Sequence, residues 1–249
     1  MPLWSVQAGA LGVTRARHEG PTGLPANVGR VKIGVLGATG PAGSGLAARL
    51  ASVGYEVVIG SRSKYRAMEA RDILVEHRWP DRNLPIDFAD NSGAAMADVV
   101  VLATPWDAAA ATAMQVADKL KGKVVICMCN ALARVANEFQ PLVPPRGSVA
   151  ASVQAAVPRA LVAAALHHVP AKELGDISDP VESDVLVCSD HVRATELVSE
   201  IVGRMPNLRP LDAGQLSNAA PVEAFAAVLL QLNVRYKTRA AVKFTGINV

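Results

Sequence analysis

The six residues Ala38-Thr39-Gly40-Pro41-Ala42-Gly43 follow a short apolar run, Val31 to Leu36, that ends at Gly37. They have the residue types that a turn against a pyrophosphate requires. Bulky side chains would keep backbone N–H groups away from the phosphates, and the N-terminus of the following helix adds partial positive charge. A second apolar run, Tyr55 to Ile59, ends in Gly60-Ser61-Arg62-Ser63-Lys64, with Arg66 just beyond and no acid among them. An acid there would bind ribose hydroxyls and repel a 2′-phosphate, whereas Arg, Lys and Ser attract one. Strand, glycine turn, helix and basic strand end together predict a dinucleotide site selective for NADP(H).

The glycine turn alone is a weak signal. Ala38 replaces the first glycine of G-x-G-x-x-G, and a chain with 19 glycines produces near-matches by chance. The flanking elements give it meaning. Expected NADP contacts are Gly37, Ala38, Thr39, Gly40, Pro41, Ala42 and Gly43 in the cradle, Ser61, Arg62, Lys64 and Arg66 at the second strand end, and Thr104, Pro105 and Trp106 at a later one.

Composition narrows the remaining possibilities. With 249 residues, 51% of them hydrophobic, the chain can bury one large core or two modest ones. A net charge of +3, spread along the chain, argues against nucleic acid or a membrane surface as the main partner and leaves small anions plausible. Cys127, Cys129 and Cys188 have no metal-binding or disulfide spacing, so no metal is expected; they read as buried thiols in a reducing cytoplasm. Residues 1–30 lack helical or alternating periodicity and read as a flexible extension.

The elements that must position these residues alternate. Strands are expected at Val31–Gly37, Tyr55–Gly60, Asn83–Asp90, Asp98–Ala103 and Lys123–Cys129, with helices at Ala42–Val53, Lys64–His77 and Asp107–Leu120. Repeated β-α units predict an α/β, Rossmann-type doubly wound parallel sheet, with ligands at the carboxyl ends of its strands. Beyond Asn130 the rhythm loosens through Pro141, Pro144 and Pro145. Further strands are expected at Leu161–His167, Asp184–Cys188 and Asn207–Leu211, and helices at Ser148–Ala156, Asp190–Gly203 and Ser217–Ala241. The last helix carries apolar residues on several faces, as an internal or subunit interface would. The expected division is residues 31–147 as the NADP-binding Rossmann domain and 148–249 as a smaller C-terminal α/β domain.

Several motifs outside the cradle carry a resemblance. Leu166-His167-His168-Val169-Pro170-Ala171, Asp184 to Asp190, Arg209 to Asn218 and Asn233-Val234-Arg235-Tyr236-Lys237 run in order after the glycine turn, Gly60-Ser61-Arg62 and Thr104-Pro105-Trp106. Together they resemble the NADPH-dependent coenzyme F420 reductases, or F420:NADP oxidoreductases. The resemblance implies an enzyme, usually a homodimer, that passes a hydride between NADP(H) and the deazaflavin coenzyme F420. It also implies that His167, Leu216 and Ser217 lie where the two rings meet, and that the C-terminal segment contributes to the F420 site and the dimer interface. Asn130-Ala131-Leu132 departs from the family pattern after the fifth strand. Two other readings share the cradle: a reductase of another acceptor, such as an imine, a flavin or a metal complex, and a non-catalytic NADP-sensing module.

Overall fold

A computed structural model describes residues 31–247; the segment 1–30, expected to be a flexible extension, lies outside them. One eight-stranded sheet runs through the protein in the order β10-β9-β8-β5-β4-β1-β2-β3. Its strands are β1 (Lys32–Leu36), β2 (Glu56–Ser61), β3 (Ile86–Asp90), β4 (Val99–Leu102), β5 (Val124–Cys127), β8 (Leu161–Ala164), β9 (Ser183–Ser189) and β10 (Leu208–Asp212). A separate antiparallel hairpin joins β6 (Leu132–Val135) to β7 (Glu138–Pro141).

Apolar side chains on both faces of the central strands explain the layering. Ile33, Val35, Val99, Val101, Val124 and Ile126 are buried on one face with Leu46 and Leu50 of helix α1 (Pro41–Ser52). Leu36, Val100, Leu102, Val125 and Cys127 are buried on the other, with α4 (Trp106–Gln115), α6 (Val149–Ala156) and α9 (Ala219–Tyr236). Strands that alternate between two cores must be apolar throughout, as β4 and β5 are.

β1 pairs with β2 on one side and β4 on the other, all parallel. The chain therefore reverses winding direction at β1, and a crevice opens at the carboxyl ends of β1 and β4. The expansion of the sheet beyond β5 differs from the wholly parallel expectation. β8 is parallel to β5, but β9 is antiparallel to β8, and β10 follows β9. Only the four-residue helix α7 (Ala171–Leu174) lies between β8 and β9. Residues 165–182 contain no helix long enough to cover a face of the sheet as a crossover helix would, and the chain re-enters the sheet from the edge at which it left.

Other departures are local. The expected helix Lys64–His77 is an α-helix, α2 (Lys64–Asp72), that widens into a π-helical turn at Ile73–Arg78. The β6–β7 hairpin, the short helix α3 (Asn91–Ala94) and α7 carried too few periodic residues to be read in advance.

Candidate functional site

Gly37 ends β1 with φ of +81°, and a Cβ there would fall 2.7 Å from the Thr104 methyl group. Glycine is required for both reasons. The turn is fastened to β2: the N–H groups of Gly37 and Ala38 donate to the Gly60 carbonyl at 3.0 and 3.3 Å. Gly40 caps α1 without a side-chain hydrogen bond, and Pro41 begins the helix. The first-turn amides of Ala42 and Gly43 consequently have no intrahelical acceptor and no capping side chain, the arrangement that receives an anion. A Cβ on Gly40 would meet only the Gly37 carbonyl oxygen, at 4.0 Å, so the space beside it is open. Gly43 instead lies against Ala38 and Ala103, where a Cβ would come within 2.8 and 3.0 Å.

The cradle opens into a cleft of about 740 Å³ whose lining includes Gly37, Thr39, Gly40, Ser61, Arg62 and Arg66. Arg62 and Arg66 are exposed at its end, and the Ser63 hydroxyl accepts from the Arg66 amide to start α2. Thr104 and Pro105 form the opposite wall. The residues present thus fit a dinucleotide with an anionic group at its β2 end. Six expected contacts are not part of its lining. Ala38 is in the core, Pro41 is exposed, Gly43 packs against Ala38 and Ala103, and Lys64 places its ammonium 5.7 Å from the Phe88 ring centroid. Trp106 faces a groove with Pro144, Pro145 and Arg146, and the Ala42 side chain lines a second cavity, which leaves Ala42 and Gly43 only their backbone amides to offer the cradle. Asn91 and Thr112 join the cleft without having been singled out, and Asp107 joins it from the strand end that runs from Thr104. Asp107 stands within the strand-end run Thr104–Asp107, and Asn91 follows the end of β3; strand-end position was the available signal.

The second cavity, about 180 Å³, lies on the other side of the first turn of α1. Ala42 meets Met128 and Asn130 from beyond β5, Leu166 to Ala171 from beyond β8, and Leu229 and Asn233 from α9. The Asn130 side-chain amide donates to the His167 carbonyl at 2.8 Å and ties two strand ends together.

His167 itself does not present its ring to the cavity. Its side chain is fully buried, neither ring nitrogen has a hydrogen-bond partner among the described residues, and burial, with His168 beside it, lowers its pKa to about 3. Nε2 stands 3.9 Å from Oε1 of Glu223, a buried acid that sequence reading passed over. The Glu223 carboxyl accepts from the amides of Val149 and Ala150 at 2.8 and 3.0 Å, at the start of α6, yet burial outweighs these bonds and raises its pKa to about 7. His168 points elsewhere and bonds the Asp184 carbonyl at 2.8 Å.

Leu216 and Ser217 are not brought to His167 within this chain. They line a groove with Gln154, Pro158, Asp190 and His191. The antiparallel course of β9 is the reason: Ser189 pairs with Ala163 of β8, so the chain beyond β9 leaves from the amino edge of the parallel strands. β10, parallel to β9, leads Leu216 to that same edge.

The doubly wound sheet, the glycine cradle at its reversal point and the basic end of β2 define a Rossmann-type dinucleotide-binding protein built to receive a phosphorylated ribose. Residues 32–131 match the family described as NADP oxidoreductase, coenzyme F420-dependent. The F420-dependent NADP reductase of Methanocaldococcus jannaschii is 34% identical over 225 residues, covering 88% of this chain and 98% of that protein. The enzyme of the same name from Methanothermobacter marburgensis is 35% identical over 87% of this chain and 99% of its own length. A crystal structure from Arthrobacter sp. FB24, provisionally named an F420-dependent NADP-reductase, superposes with a TM-score of 0.71 at 26% identity, covering 84% of this chain and 96% of that one. The chain belongs to the F420-dependent NADP reductase family.

Proposed function

We infer that this protein transfers a hydride between NADP(H) and coenzyme F420. The observation that carries this reading is the presence of two cavities beside one helix turn, a long cleft with a basic end that Gly40 lines and a smaller, mainly apolar chamber that Ala42 lines. Bound together, the two cofactors supply the chemistry themselves, a hydride passing from nicotinamide C4 to deazaflavin C5. The protein's task is orientation and the exclusion of water.

In this reading Gly40, Ala42 and Gly43 hold the pyrophosphate, and Ser61, Arg62 and Arg66 hold the 2′-phosphate. Thr104 and Pro105 direct the nicotinamide half toward the chamber. The chamber is smaller than the roughly 300–1,000 Å³ usual for drug-sized ligands. A chamber of this size would hold only part of the deazaflavin ring. Residues 148–249 complete this second site and so act as the smaller C-terminal unit. Phe225, Val228 and Leu232, exposed on one stripe of α9, are the face through which two copies associate as a homodimer, which sedimentation would test. No helix among the described residues is long and apolar enough to cross a membrane, and the three cysteines are buried free thiols, which supports placement in the cytoplasm.

Mixing NADPH with F420 and following the deazaflavin absorbance tests the activity. NADPH stereospecifically deuterated at C4 is expected to deliver its label to C5 without exchange with solvent. Tight NADPH binding with F420 left unbleached would return the protein to the reductases of other acceptors.

A further inference from the structure

We propose that Glu223 is a proton-holding, positioning residue for the reaction, acting through His167 on the chamber in which the two rings meet. This rests on the hydride-transfer reading above. In the protonated state its O–H donates to Nε2 of His167, and its two oxygens keep their backbone donors. In the ionised state it places a negative charge beneath the chamber.

Three observations support the assignment. A buried carboxyl group faces a buried imidazole whose two nitrogens both lack partners, and such orphans are rare enough in folded proteins to require a reason. A proton on Glu223 supplies a bond to one of the two, Nε2, after closure of a 3.9 Å gap. The pair also connects to the chamber, because the carbonyl of His167 is held by Asn130, a lining residue. Finally, among the described residues no fixed cation neutralises Glu223. The groups around it are His167 beyond β8, the thiols Cys127 of β5 and Cys188 of β9, and the uncharged first turn of α6; the upward shifts of both thiols include repulsion from Glu223. Glu138 on β7 is exposed, and β7 meets α9 two turns further along, at Gln231.

The balance of the reaction explains why the protonation state matters. NADPH, F420 and one proton give NADP⁺ and F420H₂: the C4–H bond of NADPH breaks with its electron pair, the C5–H bond of F420 forms, and one proton neutralises the charge added to the acceptor ring. A carboxylate under the chamber opposes that charge, and a protonated carboxyl does not. F420 reduction is thus expected to slow as Glu223 ionises, close to neutral pH.

The experiment compares kcat for F420 reduction across pH 5–9 in the wild-type enzyme and in Glu223→Gln, a neutral mimic of the protonated acid. The wild type is expected to pass through a single-proton transition to a lower rate above the midpoint. In Glu223→Gln this limb disappears while KM for NADPH is unchanged. A limb retained in a folded Glu223→Gln enzyme overturns the proposal, as does a wild-type rate that is flat across this range. If the variant does not fold, infrared spectroscopy of the wild type decides: a protonated carboxyl C=O band must titrate with the same midpoint as kcat, and its absence refutes the assignment. A wild-type enzyme that reduces no F420 at any pH instead refutes the hydride-transfer reading, with the infrared band still reporting on Glu223.

Discussion

The two halves of the sheet treat polar groups in opposite ways. In the half built from β1 to β5 they are left open at the edge: the helix-start amides of Ala42 and Gly43 have no internal acceptor, and Arg62 and Arg66 extend into solvent without a carboxylate in the ion pairs observed among the described residues. Beyond β8 the buried carboxylate of Asp184 is matched inside the protein, although the ring nitrogens of His167 are not. Asp184 is fully buried, is gripped by Arg209 at 2.6 and 2.8 Å, and accepts from the Phe244 amide. Arg209 also bonds the Phe244 and Ile247 carbonyls, so this pair fastens the C-terminal strap to the sheet. The first half is unfinished until a ligand arrives; the second holds the wall against which the ligand is placed.

The sharpest way to break this contrast is Gly40→Val. The space beside Gly40 is open within the protein, so the fold is expected to persist while the isopropyl group occupies the pyrophosphate position. NADPH binding should fall below detection in titration calorimetry with Tm nearly unchanged. Intact affinity would mean that the cradle is not the phosphate site.

Asp184→Ala is the counterpart in the other half. It leaves Arg209 and the Phe244 amide without their acceptor, and removing one partner of such a pair is strongly destabilising. Tm should drop by on the order of 10 °C, with NADPH affinity in the cold nearly unaffected. A loss of NADPH binding without a loss of stability would erase the distinction between the halves.

A smaller effect is expected from Arg62→Ala. Losing a charge-assisted bond to the 2′-phosphate costs about 1.5–3 kcal/mol, roughly ten- to a hundredfold in Kd for NADPH, with NADH unaffected. Equal losses for both nucleotides would make Arg62 structural.

The smallest effect is in the pH dependence of stability. The raised Glu223 pKa contributes stability that is complete below 4.5 and lost as pH rises through about 7. The lowered His167 pKa acts oppositely, with stability complete above 6.5 and lost as pH falls toward about 3. Between 4.5 and 6.5 the two slopes cancel, so their joint contribution is flat there and declines on either side. Unfolding midpoints in denaturant, wild type against Glu223→Gln, would show this. The variant is expected to gain stability with pH across that window, since only the His167 slope remains; parallel curves would place the Glu223 pKa elsewhere.

The cradle and the basic end of β2 were legible because they are local. A phosphate turn needs a few consecutive small residues with a strand before and a helix after, and each of those requirements is written within about thirty residues. The alternation of apolar strands and helices likewise announced a doubly wound sheet. Tertiary structure alone decided the rest. One connection without a crossover helix turned β9 antiparallel and carried Leu216 and Ser217 to the edge opposite His167. The chamber draws on Ala42, Asn130, His167 and Asn233, nearly two hundred positions apart. Glu223 reads in sequence as one more polar residue on an Ala-rich helix. Only packing against α6 and His167 buries it, and burial, which no local pattern records, makes its proton consequential.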